Sequence, residues 1–464
     1  MPARDTPTAR RRSAPSWTAA LVTVVWAVMV TAPTAGAGAP RQPPSAPEPA
    51  ISRPFISHRD GYDCYRIPAI VTTPSGTLLA FAEGRLTDCD DVGNIDLVLK
   101  RSTDGGHTWS DIMVLRGAGS PGTFGNPVPV VDELTGRVSL LYAHNSWTDE
   151  GDRRVRRNRS LHSVYSTDDG LTWSPGGVLG PLKPSDWTWV SVGPGHGVQL
   201  RRGPHAGRLI VTGDHNTADG RSGAQLYYSD DGGATWRLGA VYETDRHETH
   251  PGELTVVERV DGSLYINARS SDPGPGHYRL AATSEDGGMS FTPGGFTPAP
   301  GLAAPPVSAS LLRLRATDDG DPRNRLLLSA PARPGPQLAT RRRTMTIRSS
   351  YDEGLTWQAT APVINPGRAG YSDLTELASG EIGLLYETGV NSSHGTIKFT
   401  AFTAESLDGG APRLPVCATP AAGGATWVPS DRRPARVRAA ATVNRRTPSA
   451  MPRSPTARRP PPRT

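Results

Sequence analysis

Apolar and aromatic residues gather in short runs along this chain, and turn-forming residues separate the runs. Asp96-Leu97-Val98-Leu99, Gln225-Leu226-Tyr227-Tyr228 and Leu264-Tyr265-Ile266-Asn267-Ala268-Arg269 are examples, and runs of this length and make-up predict strands. What borders them is periodic. The pattern S-x-D-x-G-x-T-W occurs intact four times, at Ser102-Asp104-Gly106-Thr108-Trp109, Ser166-Asp168-Gly170-Thr172-Trp173, Ser229-Asp231-Gly233-Thr235-Trp236 and Ser350-Asp352-Gly354-Thr356-Trp357. A fifth copy, Ser284-Asp286-Gly288-Ser290-Phe291, is degenerate. Successive serines stand 64, 63, 55 and 66 residues apart.

Each copy has the chemistry of a self-closing turn. A short Asp side chain accepts backbone N–H bonds across the turn, Gly supplies a permissive φ, and the aromatic packs under the sheet. These turns therefore predict hairpin connections. A period near 60 residues, about four strands long, describes one blade of a propeller. Over residues 51–406 that predicts an all-β, six-bladed β-propeller of four-stranded antiparallel blades. Because the aspartates recur once per blade, they are structural and mark no single active site.

Composition agrees with strands. Of 464 residues, 51 are Gly and 45 are Pro, the two poorest helix formers, which argues against a helical bundle. The glycines follow no third-position period, so a collagen is excluded. The net charge of +6 invites a nucleic-acid reading, but its distribution removes it. Residues 1–50 hold 5 basic and 2 acidic side chains and 431–464 hold 10 Arg and 1 Asp, whereas 51–430 hold 35 basic and 41 acidic. The charge gives little support to a folded basic surface, and no nucleic-acid partner is expected.

The ends read as processing and linker segments. Arg10-Arg11-Arg12, the apolar run Ala19 to Val30 and Ala35-Gly36-Ala37 predict an export signal over 1–39, with Sec and twin-arginine routes both open. The apolar run falls short of the roughly 20 residues that span a bilayer, so no stable membrane insertion is expected after cleavage. Residues 40–50 form a Pro-rich linker, and 407–464 an Arg- and Pro-rich tail that cannot bury enough surface to order itself. A secreted, monomeric protein is the expectation. Three cysteines fit no zinc pattern; Cys64 and Cys89 can pair in an exported protein, and Cys417 is left over in the tail.

Two metal look-alikes fail. His247-Glu248-Thr249-His250 spaces its histidines three apart, not four, and the segment from Asp88 has Val92 and Leu99 where a calcium loop needs ligands. No metal or cofactor is expected. What remains is a set of arginines in strand-like surroundings: Arg66 in Tyr65-Arg66-Ile67-Pro68-Ala69-Ile70, Arg269 at the end of its run, and Arg342 within Arg341-Arg342-Arg343. Arginine is preferred where a planar, bidentate grip on a carboxylate is needed.

At these residues the chain resembles the exo-α-sialidase (neuraminidase) family of bacterial and animal type, over about His58 to Phe402. The resemblance is carried by Tyr65-Arg66-Ile67-Pro68, Asp91-Val92-Gly93-Asn94-Ile95-Asp96 with Lys100-Arg101-Ser102, and the turn repeats. Gly252-Glu253-Leu254, Asn267-Ala268-Arg269, Gly370-Tyr371-Ser372-Asp373-Leu374 and Leu385-Tyr386-Glu387 complete it. It implies a six-bladed propeller with Asp-box turns on the rim, and a nonulosonic acid held by three arginines, here Arg66, Arg269 and Arg342. Arg341 and Arg343 are the alternatives for the third. It further implies Tyr371 as nucleophile, Glu253 as its base and Asp91 as general acid, with Asp90 as the alternative. The family segment often reads D-x-G-D-I-D; Asn94 departs from it. Glu387 resembles the carboxylate bracing the first arginine, and Arg85 is placed to reach a substrate hydroxyl.

The implied reaction is retaining hydrolysis of terminal sialic acid from glycoproteins, glycolipids and oligosaccharides. The anomeric carbon bears a carboxylate, so an Asp or Glu nucleophile would meet like-charge repulsion that a phenol avoids. Two rivals remain at this level: a non-catalytic sialoglycan-binding propeller, and a trans-sialidase or a hydrolase of a related nonulosonic acid.

Overall fold

The computed structural model describes residues 51–118, 121–151, 153–244, 250–270, 278–332 and 342–408. The predicted export signal, the Pro-rich linker and the tail beyond Asp408 lie outside the described residues, as do Arg341 and the segment 247–249. Among the described residues there are 24 strands and otherwise only short 3-10 turns, so the chain is all-β. No helix among them is long and apolar enough to cross a membrane.

Hydrogen bonding groups the strands into sheets of eight, five, four and seven in chain order, not into six separate sheets of four. Two local connections make the larger sheets. In the eight-stranded sheet, one parallel pair, Ile95 with Thr123, joins the strands of 64–116 to those of 123–178. In the seven-stranded sheet the strand Val363–Glu376 is shared. Its first half pairs with Arg343–Ser350 and its second half with Ile382–Gly389. A strand of 14 residues that bends through a register shift can serve two neighbours. The first described strand, Ile51–Ile56, pairs with the last, Thr396–Phe402, so one sheet holds both ends of the described chain.

The repeated turns close as their residues dictate. Ser102 Oγ donates to Asp104 Oδ1 (2.7 Å), and Asp104 accepts the Thr108 amide (2.9 Å) and hydroxyl (2.6 Å). The same bonds recur at Asp168, Asp231, Asp286 and Asp352. The terminal aromatics reach neighbouring strand groups. Trp109 meets Phe399 edge-on at 5.6 Å and Trp173 meets Phe81 at 5.8 Å. Apolar clusters follow the same logic. One combines Tyr65, Ile70 and Leu78 with Leu385 and Phe399, and another combines Ile210 and Leu226 with Val256 and Ile266. The core therefore lies between consecutive strand groups, because a sheet buries its apolar face only against another layer.

Buried Asp373 ties several groups together. Its carboxylate accepts from the Ile70 amide (2.9 Å) and the Ser310 hydroxyl (2.7 Å), and His196 Nδ1 lies 2.7 Å from it. A cavity of about 530 Å³ is lined by the downstream halves of these strands, including Thr72, Glu258 and Glu376. None of the candidate catalytic or binding residues lines it.

Candidate active site

The candidate residues stand where strands lose register. The strand Cys64–Thr72 shifts against Leu78–Arg85 between Arg66 and Ala69, and Pro251–Glu258 shifts against Leu264–Ser270 between Gly252 and Leu254. Val363–Glu376 shifts against Ile382–Gly389 between Ala369 and Ser372, around Tyr371. A bulge breaks the alternation of faces and re-aims the extra side chain. The backbone confirms the local cost: Ile67 has φ 57° and Glu253 φ 44°. A left-handed conformation is unfavourable for any residue with a Cβ, and most of all for β-branched Ile67.

Tyr371 is buried, and its hydroxyl donates to Glu253 Oε1. Arg269 Nη1 donates to the same phenol oxygen (3.2 Å) and to Glu253 Oε2 (2.8 Å), closing a three-membered polar cluster. Residues 118 and 102 positions apart meet in it. Burial, and after it the charge of Glu253, push the Tyr371 hydroxyl above the ordinary phenol range, and the three arginines pull it back only in part. Burial works against the Arg269 charge, but Glu253 and Tyr371 more than offset it and hold that guanidinium firmly protonated.

Arg66 faces the phenol ring, its guanidinium carbon 5.3 Å from the ring centroid. Fully buried Glu387 accepts Arg66 Nε (2.7 Å) and the Ile67 amide (3.0 Å) on Oε1, and the Tyr371 amide (3.0 Å) on Oε2. Burial would raise the Glu387 carboxyl, but Arg66 outweighs it and the group stays ionised. Arg342 also faces the ring, at 5.1 Å. Its Nε and Nη2 donate to the Pro306 carbonyl (3.2 and 2.8 Å), and no ion pair holds it to a carboxylate among the described residues. Of the three guanidinium groups it is the one without a carboxylate partner among the described residues.

Asp91 occupies the loop 86–94, with about two thirds of its side chain exposed. Arg85 Nη1 donates to its Oδ1 (2.8 Å), and Arg66 Nη1 lies 3.7 Å from the same oxygen. Burial tends to raise its carboxyl, yet Arg85 and then Arg66 hold it below the usual range. Asp90 points elsewhere, towards Arg154 (3.5 Å). Arg85, expected near a substrate hydroxyl, is 2% exposed and donates to Glu83 (2.6 Å), the Cys89 carbonyl and Asp91, so its guanidinium braces the loop that carries Asp91. Cys64 and Cys89 form a disulfide with Cα atoms 5.3 Å apart, tying this loop to the Arg66 strand. Among the described residues the one group with metal-binding atoms is Cys64, Cys89 and His394, and the disulfide consumes two of its three donors.

Several neighbours carried no sequence signal. Glu83 anchors Arg85, and Arg156 Nη2 grips the Asp91 carbonyl (2.8 Å) from the long strand Arg153–Ser166. Asp214 bonds Trp189 and the Glu253 amide, and burial, then the Glu253 charge, lift its carboxyl to about 6. None belongs to a motif; each is found only through the neighbour it touches. The bulges are equally silent, since the extra residue is defined by pairing with a distant strand.

The family model for a BNR repeat-like domain matches residues 76–384. A sialidase of Micromonospora viridifaciens is 35% identical over 389 residues, covering 80% of this chain and 56% of that protein. This chain thus spans little more than half the length of that relative. An exo-alpha-sialidase of Aspergillus fumigatus is 32% identical over 366 residues, covering 71% of this chain and 79% of its own. The solved structure of the Hadza microbial sialidase Hz136 is similar with a TM-score of 0.65 at 28% identity, over 77% of this chain and 69% of that one. A domain match across most of the described strands and a relative aligned over four fifths of its length point one way: the chain belongs to the exo-α-sialidase family of glycoside hydrolases.

Proposed function

We propose that this protein is a secreted, retaining exo-α-sialidase that releases terminal sialic acid from glycoproteins, glycolipids and oligosaccharides through a tyrosyl-enzyme intermediate. The observation that carries this reading is the Tyr371 hydroxyl donating to Glu253 among the guanidinium groups of Arg66, Arg269 and Arg342. A structural tyrosine needs one partner; this one has a base on its proton and three cations around its ring.

The arginines hold the substrate carboxylate and orient the sugar, lowering the entropic part of the barrier. Because Tyr371 is pushed above the ordinary phenol range, a free phenolate is scarce near neutral pH. Its oxygen therefore attacks the anomeric carbon as Glu253 takes the proton, in one concerted step. Asp91 gives a proton to the departing oxygen, then removes one from the water that cleaves the tyrosyl bond, while Glu253 returns its proton to Tyr371. Two inversions leave the configuration retained. In the free site Arg85 and Arg66 keep Asp91 ionised. The substrate carboxylate neutralises part of that charge, so Asp91 takes up its proton as substrate binds.

The fold reading accompanies this. The shared strand Val363–Glu376 and the single Ile95–Thr123 pair divide the sheets into six strand groups, which we read as six propeller blades. Residues 1–39 are read as the export signal, 40–50 as a linker and 51–406 as the catalytic propeller; Leu407, buried in an apolar cluster, and Asp408, paired with Arg325, belong with the propeller and not with the tail expected from 407. The test is proton NMR of a sialoside digest beside turnover of the Tyr371→Phe variant. Retention requires the α-anomer of the free sugar first, and Tyr371→Phe should lose about 10²–10⁴-fold or more. Early β-anomer, or near-normal activity in Tyr371→Phe, overturns the mechanism.

A further inference from the structure

We infer that the Cys64–Cys89 disulfide is a positioning device for the proton-donating step, holding Asp91 against Arg66 so that its loss removes acid catalysis first. The inference rests on the reading of Asp91 as the acid. Cys89 stands two residues before Asp91 and Cys64 two residues before Arg66, so the bond joins the backbone of the acid to that of the first arginine. The other members of the site do not need such help. Arg66, Glu253, Tyr371 and Arg269 all project from strands paired on their own sheets.

The loop 86–94 has less support. It belongs to no strand; one backbone bond, Leu86 N to Asn94 O (3.2 Å), closes its base and the Thr123 hydroxyl donates to the Gly93 carbonyl (2.9 Å) at its far end, which leaves 87–92 to side-chain contacts and the disulfide. Asp88, Asp90 and Asp91 crowd three like charges into four positions, a repulsion that favours opening. Arg85, Arg154 and Arg156 oppose it from outside the loop, through non-covalent contacts. The disulfide is the one covalent restraint. Without it Asp91 keeps its partners only part of the time, and a displacement of 1 Å is enough to cost about 10²-fold in a positioned step.

The consequence depends on the leaving group. A sugar alkoxide needs the proton that Asp91 supplies, whereas an aryloxide departs largely without it. Breaking the staple should therefore spare aryl sialosides and penalise natural glycosidic bonds. A structural role would lower both rates together.

The experiment measures kcat/KM on 4-methylumbelliferyl sialoside and on sialyllactose with one preparation of the full chain, and takes their ratio, which cancels any unfolded fraction. The variants are Cys64→Ala/Cys89→Ala, Asp91→Ala and the triple substitution. Wild type is also treated with dithiothreitol, which becomes a cyclic disulfide as the protein gains two thiols. Removing the disulfide by either route should lower the sialyllactose-to-aryl ratio about 10- to 100-fold, and Asp91→Ala about 10²–10⁴-fold. In the Asp91→Ala background the cysteine changes should move the ratio no further. A ratio unchanged by loss of the disulfide, with Asp91→Ala still lowering it, overturns the staple and leaves the acid assignment standing. A ratio unchanged in Asp91→Ala overturns the acid assignment itself, and the staple's purpose with it.

Discussion

Replacing Glu387 by Gln keeps shape and volume and removes one charge, at a point where three donors converge. In the native site one carboxylate oxygen takes Arg66 Nε and the Ile67 amide, and the other takes the Tyr371 amide. A Gln oxygen can still serve Arg66 and Ile67, but its NH₂ then meets the Tyr371 N–H, donor against donor. Arg66, 6% exposed, would also lose its main counter-charge, since Asp91 lies further away at 3.7 Å. Removing one partner of a buried pair costs about 3–5 kcal/mol. An orphaned amide adds about 1–3 kcal/mol unless water reaches it. At about 2 °C per kcal/mol for a large domain, the unfolding temperature should fall by about 6–10 °C where water reaches the amide and by about 8–16 °C where it does not. With Arg66 released from its brace, kcat/KM should fall about 10²-fold even where the variant is fully folded. Circular dichroism melting and turnover of a fluorogenic sialoside well below both midpoints measure the two effects separately. If Glu387→Gln melts within about 1 °C of wild type and turns over within about twofold, the carboxylate is not the brace its contacts describe.

Three other expectations follow from the same contacts. Asp90→Ala should keep near-normal turnover of sialyllactose while Asp91→Ala loses about 10²–10⁴-fold; equal losses would remove the distinction drawn from Arg154 and Arg85. Asp168 is held at about 2, below the ordinary carboxylate range, by the Thr172 hydroxyl first, then the Thr172 amide and Ser166. Asp104, Asp231, Asp286 and Asp352 are lowered by the same kinds of bond, which together outweigh burial. A depressed folded pKa stabilises above the unfolded value, so melting temperature should decline as pH falls from about 4 to about 2, and Asp168→Asn should make that decline shallower. Gly106 has φ +90° and a Cβ there would stand 2.1 Å from Phe399 Cε1. Gly106→Ala should therefore cost about 2 kcal/mol or more by urea denaturation, and a neutral result would contradict the packing of the turn under that ring.

The turn repeats and short strand runs were readable in the amino-acid order because their bonds span two to four residues. Ser102, Asp104 and Thr108 satisfy one another before any sheet exists, and the 60-residue spacing of such turns already specifies an all-β architecture. The arginines, Glu253 and Tyr371 were legible as a family pattern, though not as a cluster. Their assembly, and the choice of Asp91 over Asp90 as the neighbour of Arg85, came from contacts such as Arg66 with Glu387, 321 residues apart. So did the inward engagement of Arg85, the Cys64–Cys89 bond and the merging of strand groups into four sheets. Bulges, ion pairs and disulfides depend on which distant strand arrives alongside, and that is settled by packing between sheets, which no short stretch of chain encodes alone.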